Sequence, residues 1–150
     1  MSKPVTLTEV HPHRVTTLRH HAHLVRADRP AVPLDLELHY TALDPFAVRI
    51  VLRTDGASVR WSLSREALLL GLRRHEGIGD VAVWPVHPPG TPGRLCIRLG
   101  PLRACAVVQA EWDVISDWLD VTLQLVPAGT ESGHLRWEDF LAPLLGQEGP

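Results

Sequence analysis

Apolar and polar residues alternate with a period of two through most of the chain, and a helical period near 3.6 replaces it toward the end. The cleanest alternation is 34–40: Leu34, Leu36, Leu38 and Tyr40 fall on one face, Asp35, Glu37 and His39 on the other. That pattern predicts a strand with one apolar and one wet face. Residues 17–25 alternate more weakly and predict a strand before it. Between the two, Pro30 and Pro33 predict a linker, because proline cannot donate to a strand ladder. In 46–54 the residues Phe46, Val48, Ile50 and Leu52 are expected inward, and Arg49 and Arg53 outward. Asp55-Gly56 predicts a two-residue hairpin turn into the next strand. Two further strands are expected on either side of Gly100-Pro101.

The period changes twice. Ser64 suits an N-cap, and Ala67, Leu68, Leu69 and Leu72 fit a short amphipathic helix. Residues 111–126 form the second helical stretch. Asp113, Ser116, Asp117, Asp120 and Gln124 make one polar stripe, and apolar residues fill most of the remaining circumference. So wide an apolar arc calls for more than one partner surface. The chain's own sheet supplies one. A neighbouring subunit is expected to supply the other, with Trp112, Ile115, Trp118 and Leu119 at the interface. Residues 137–145 predict a last short helix. Strands, a helix, more strands, then helices define an α+β domain. Without βαβ alternation the sheet should be mostly antiparallel. Residues 1–16 read as a flexible arm, 17–146 as one domain and 147–150 as a tail.

Gly77 and Gly79 precede Asp80 and an apolar run that ends in Trp84-Pro85. A dinucleotide loop puts three such glycines after a strand and before a helix, so that helix-start amides meet phosphate. Here a third glycine is missing and the segment follows a helix and precedes a strand. A turn is therefore expected, with the glycines giving backbone freedom, Asp80 capping the turn and Pro85 ending the strand.

Composition narrows the chemistry. The 150 residues suit a single domain, and no apolar run approaches membrane-spanning length, so a cytoplasmic protein without membrane insertion is expected. Net charge is −2, yet residues 1–108 carry +5 and 109–150 carry −7. The arginine-rich front is expected to pair with the acidic back, within the chain or between subunits. The cysteines, Cys96 and Cys105, give no disulfide framework. They would face each other only if the hairpin loop were Gly100-Pro101 alone; a longer loop and free thiols are expected. His21 and His23 share a strand face with His20 beside them, but no third or fourth zinc ligand follows at a recognisable spacing. No serine sits in a GxSxG setting. Neither a catalytic set, a metal nor a cofactor is expected. Arg49, Arg53 and Arg60 fall on neighbouring strand faces and are the residues a single-stranded nucleic acid would touch. Such binders also need stacking aromatics beside the basic groove, and aromatic content is 5%. Nucleic acid is the alternative reading, not the expected one.

Four segments then resemble one family in order and spacing. They are YTALDPFAV, WSLSREALLLGL, GIGDVAVWP and VPAGTESG, within a match running from about Thr17 to Leu145. Together they resemble the SsgA-like family of actinobacterial sporulation and cell-division regulators. Carried over residue by residue, the hallmark positions are Asp44, Pro45, Trp61, Ser64, Gly79, Asp80, Trp84, Pro85, Pro127 and Gly129, in structural roles. The resemblance implies a non-enzymatic adaptor that helps position the septum machinery, notably the tubulin-like FtsZ ring, or that acts with sister family members. It also implies a strongly curved sheet of Whirly type, packed with a short central helix and two C-terminal helices and assembled as a homotrimer. The extension at 1–16, Thr41 where an acidic residue is frequent, and Arg136 where an Asp-type cap is usual depart from the pattern.

Overall fold

The computed structural model describes residues 7–11 and 14–134. In chain order the elements are β1 (Leu7–His11), β2 (Val15–Arg26), β3 (Arg29–Thr41), β4 (Ala47–Thr54), β5 (Ala57–Ser64), α1 (Arg65–Gly71), β6 (Glu76–Ile78), β7 (Val81–Val86), β8 (Arg94–Leu99), β9 (Ala106–Glu111), α2 (Trp112–Leu125) and α3 (Glu131–His134). The nine strands form one sheet in the order β5-β4-β3-β2-β9-β8-β7-β6, with β1 also on β2. Every pairing is antiparallel. This agrees with the α+β, mostly antiparallel expectation.

The sheet curls. β5 and β6 end the strand path, yet α1 touches β5, β6 and β7. Sheets twist with a fixed hand, and here the twist accumulates until both ends reach one helix. β2 makes this possible by serving two partners along one flank. Its first half, Val15–Arg19, takes β1 and its last residues, His23–Val25, take β9. The concave face holds the core: Leu18, Leu36, Leu38, Ile50, Leu95 and Ile97 are essentially inaccessible. α2 packs over β2, β8 and β9.

Local signals explain several elements. Ser64 accepts a hydrogen bond from the Ala67 amide at 3.1 Å, so the predicted N-cap is present. Gly56 has φ +78°, and Arg53 pairs with Ser58 across the two-residue turn. Leu99 pairs with Ala106, so the loop is 100–105; Cys96 lies opposite Gln109, and both thiols are free. The longer loop was the expected one.

Five expectations need correction. Leu7–His11, read as part of an arm, pairs with β2. Pro30 and Pro33, read as breaking any ladder, lie inside β3. They are tolerated because β4 pairs only with the part from Asp35 onward, and the register slips beyond Leu24. An open edge and a bulge are where a missing N–H costs nothing. Phe46, expected inward, is 49% exposed because β4 begins after it. Pro85 pairs with Leu95 and does not end β7. β6 reaches only Val83, so Pro85 too has an open flank.

The fifth concerns the proposed oligomer interface. Ile115, Trp118 and Leu119 are 0%, 1% and 0% exposed in the single chain. Trp112 is half-buried, and its indole Nε1 donates to the Leu72 carbonyl at 2.9 Å. Ile115, Trp118 and Leu119 therefore lie in the chain's own core, with the half-buried Trp112 packed against it. The last predicted helix, 137–145, lies outside the described residues.

Candidate interaction face

Two constructions define the surface this chain offers: an internal frame around α1, and an outward grid on β2 to β5. The frame begins at Arg65, the first residue of α1, which is 1% exposed. A buried cation is costly unless it is paired and hydrogen-bonded. Its Nη1 donates to the Thr122 carbonyl at 3.1 Å and the Val126 carbonyl at 2.7 Å, which are last-turn groups of α2. Nη2 lies 3.3 Å from the Glu131 carboxylate, and the guanidinium covers the Tyr40 ring, 4.9 Å from its centroid. The hydrogen bond from its own amide and the Arg65 guanidinium hold the Glu131 carboxyl below its usual range. Burial pushes the Tyr40 hydroxyl up to about 12, against the pull of Arg65, and it donates to the Pro45 carbonyl at 2.9 Å.

Five of the ten hallmark positions, Asp44, Pro45, Ser64, Pro127 and Gly129, lie at this frame. Asp44 and Pro45 form the turn that receives Tyr40. Ser64 caps α1. Pro127 accepts from the Thr130 amide at 3.1 Å, and Gly129 sits at φ +87°, a conformation L side chains rarely adopt, which brings Glu131 back toward Arg65. The remaining segment docks the far end of α1. A Cβ on Gly71 would fall 2.6 Å from Val83 Cβ, so only glycine permits this approach. Gly79, at φ +60°, makes the β6–β7 turn; Gly77 is an ordinary strand residue, not the second turn glycine expected. The Asp80 carbonyl accepts from the Gly100 amide at 2.8 Å. Trp84 stacks on His75 at 5.6 Å, and Trp61 is half-buried opposite Ile50. Sequence reasoning missed Arg65. Its neighbours come from residues 40, 122, 126 and 131, and nothing local marks an arginine at a helix start as buried.

The grid follows from strand register. On the convex face three rows cross four strands: Thr17–His39–Arg49–Ser62, Arg19–Glu37–Val51–Arg60 and His21–Asp35–Arg53–Ser58. Four arginines meet two carboxylates. Glu37, expected on the wet face, is 6% exposed, since it sits inside the grid with neighbours on every side. Arg53 donates to it, Arg19 Nε lies 3.5 Å away and His39 Nε2 2.9 Å away. The Arg53 hydrogen bond in particular pulls the Glu37 carboxyl below its ordinary range. His39 Nδ1 is in turn 3.0 Å from Thr17 Oγ1. Arg49, Arg53 and Arg60 are therefore brought together, as their strand positions implied. They rim a cleft of about 620 Å³ that His39, Asp44 and Ser62 also line. Among the described residues Arg53 pairs with Glu37 on β3 and not with the acidic α2, and the ion pairs between the front and the acidic back are Arg65–Glu131 and His20–Glu111. The histidine cluster splits between faces. His20 turns inward, where burial lowers its pKa, while His21 stays outward, 3.0 Å from Asp35. No helix among the described residues is long and apolar enough to cross a membrane.

Glu37 carries a pH prediction. Its pKa is lower in the folded chain, so its stabilisation is present above the unfolded value near 4.3 and is lost as pH falls through the lower folded value. Glu37→Gln should cost about 1–3 kcal/mol at neutral pH, the range for losing a charge-assisted hydrogen bond. The mutant should also lose less further stability on acidification. Thermal melts from about pH 7 to about pH 3 check this; parallel wild-type and mutant curves would contradict it.

Comparison with known proteins places this geometry. Residues 34–131 match the family described as "Streptomyces sporulation and cell division protein, SsgA". The chain is 33% identical over 128 residues to the sporulation-specific cell division protein SsgB of Streptomyces coelicolor, covering 85% of this chain and 93% of that one. It is 36% identical over 123 residues to the SsgB of Saccharopolyspora erythraea, covering 81% and 86%. Among solved structures, one described as "Mutations in SsgB correlate to longitudinal cell division during sporulation of Streptomyces coelicolor" superposes with TM-score 0.75 at 31% identity, covering 85% of this chain and all of that one. An SsgA-like sporulation-specific cell division protein from Thermobifida fusca gives 0.77 at 30% identity, covering 95% and 98%.

Proposed function

This chain belongs to the SsgA family of sporulation and cell division proteins, and from that membership we propose that it is a non-enzymatic adaptor of sporulation-specific division. It works through protein contacts, as a homo-oligomer with a trimer as its expected form, and it helps place or recruit the septum machinery. Its partners are division proteins such as FtsZ or sister family members, and its place is the cytoplasm, enriched at septa. One observation carries the reading. The chain covers nearly the whole length of relatives that are themselves named for sporulation-specific cell division, at about one-third identity. The Arg65 frame supports it, because a rigid scaffold that spends its polar groups on internal fixing leaves its outer faces for recognition.

Deletion in the sporulating host is the test. Sporulation septa should be misplaced or missing while vegetative growth continues, and a fluorescent fusion should gather at those septa. Normal septation in the deletion strain would remove the proposal.

A further inference from the structure

We infer that Arg49, Arg53 and Arg60 form a docking site for an extended acidic protein segment with carboxylates at alternate positions. The inference rests on the adaptor reading and names the chemistry of one partner.

The three arginines surround Val51. It points outward but is only 7% exposed, because it pairs with Arg60 on one side while Arg49 and Arg53 flank it on its own strand. Arg60 is the diagonal cross-strand neighbour of Arg49 and Arg53, so the like charges oppose each other weakly and carboxylates set among them relieve the repulsion. Buried Glu37 compensates Arg53. Arg49 and Arg60 are exposed, and among the described residues neither has a hydrogen bond or ion pair. The charges of these two are open to a partner's carboxylates.

Spacing selects the partner's conformation. Arg49 and Arg53 are four residues apart on β4, about 13 Å at strand rise, and Arg60 stands level with Val51 halfway between. The backbone positions thus recur about every 6.6 Å in projection along the strand direction, with Arg60 one strand spacing, about 4.8 Å, to the side. The projected spacing is that of alternate side chains in an extended peptide. Arginine's planar fork matches carboxylate oxygens two at a time. Ser62 and Thr41 add hydroxyls along the cleft wall.

A nucleic acid fits less well. Asp35 pairs directly with Arg53 at one end of the run, and Asp44 lines the cleft at the other, so the positive stretch is short and closed by carboxylates. The aromatics lining the cleft are Tyr40, which is buried, and Trp61, which packs against the core, and none of the twelve grid positions holds Phe, Tyr or Trp to stack on a base.

The test uses the full chain and a fluorescein-labelled short peptide with three glutamates at alternate positions, read by anisotropy. A control peptide carries glutamines there. The glutamate peptide should bind at least tenfold more tightly, with affinity falling as salt rises. Arg49→Gln with Arg60→Gln should weaken it at least tenfold at an unchanged melting temperature. Should the double variant melt early, Arg60→Gln alone on the outermost strand is to be used, and the glutamate-to-glutamine ratio on the wild type needs no variant. Equal binding of the two peptides, or affinity unchanged in the variants, would overturn the site. A short single-stranded DNA bound as tightly as the glutamate peptide, with the same arginine dependence, would reassign it to nucleic acid. Failure here leaves the septation result standing, so the two readings fail separately.

Discussion

Replacing Leu119 with aspartate should leave no folded protein. The side chain is fully buried in the core beside Ile115 and Trp118. An unpaired carboxylate there must either stay ionised in an apolar site or take up a proton, and both cost several kcal/mol. The total stability of a domain is only about 5–15 kcal/mol. Leu119→Ala is the graded control: a lost side chain and a cavity should cost about 2–5 kcal/mol while the fold survives. Far-UV circular dichroism and soluble yield distinguish the two. The same pair decides where Leu119 belongs. Were it an intersubunit contact, Leu119→Asp would give a folded monomer with an unchanged melting profile. That result would restore the interface that the sequence suggests for α2.

The second large effect is expected at Arg65. Arg65→Ala removes the donor for the Thr122 and Val126 carbonyls and the partner of Glu131 in one step. Breaking a buried charged network from one side costs about 3–5 kcal/mol. For a chain of this size that is a fall in melting midpoint of roughly 6–20 °C. Glu131→Gln should cost much less, since its carboxylate is partly open to solvent and keeps hydrogen-bond acceptors. Arg65→Met fills the volume without the donors and should fall between the two. Differential scanning calorimetry across the three variants checks the order. If Arg65→Met were as stable as wild type, the site would be a packing position and not a polar lock, and the convergence of the hallmark segments on it would lose its physical reason.

These two residues also mark how far sequence reading reached. Leu119 was legible as an apolar helix position, but not the surface that covers it. The helix pattern states how much apolar arc must be covered; it does not state how much of that arc one curled sheet can reach. Arg65 was not legible as a buried group at all. A solvated helix-start arginine and a buried one look identical along the chain. The difference lies in a turn and a helix end more than fifty residues away. Glu37 repeats the point on a strand. Alternation put it correctly on the outer face, but its burial came from flanking strands that alternation does not count.

What the sequence determined by itself is local. The period of two made 34–40 a strand, Asp55-Gly56 closed a hairpin, Ser64 started a helix, and the missing βαβ alternation made the sheet antiparallel. Each of these depends on dihedral preferences and side-chain periodicity within a few residues, so each can be read from a short window. The tertiary structure decided the rest. It set β1 and β9 end to end along one flank of β2, opposite β3, and brought both ends of the sheet to α1. It buried Arg65 and Glu37. All of these depend on which distant segments become neighbours, and that choice is fixed by packing the whole core at once and not by any stretch of the chain alone.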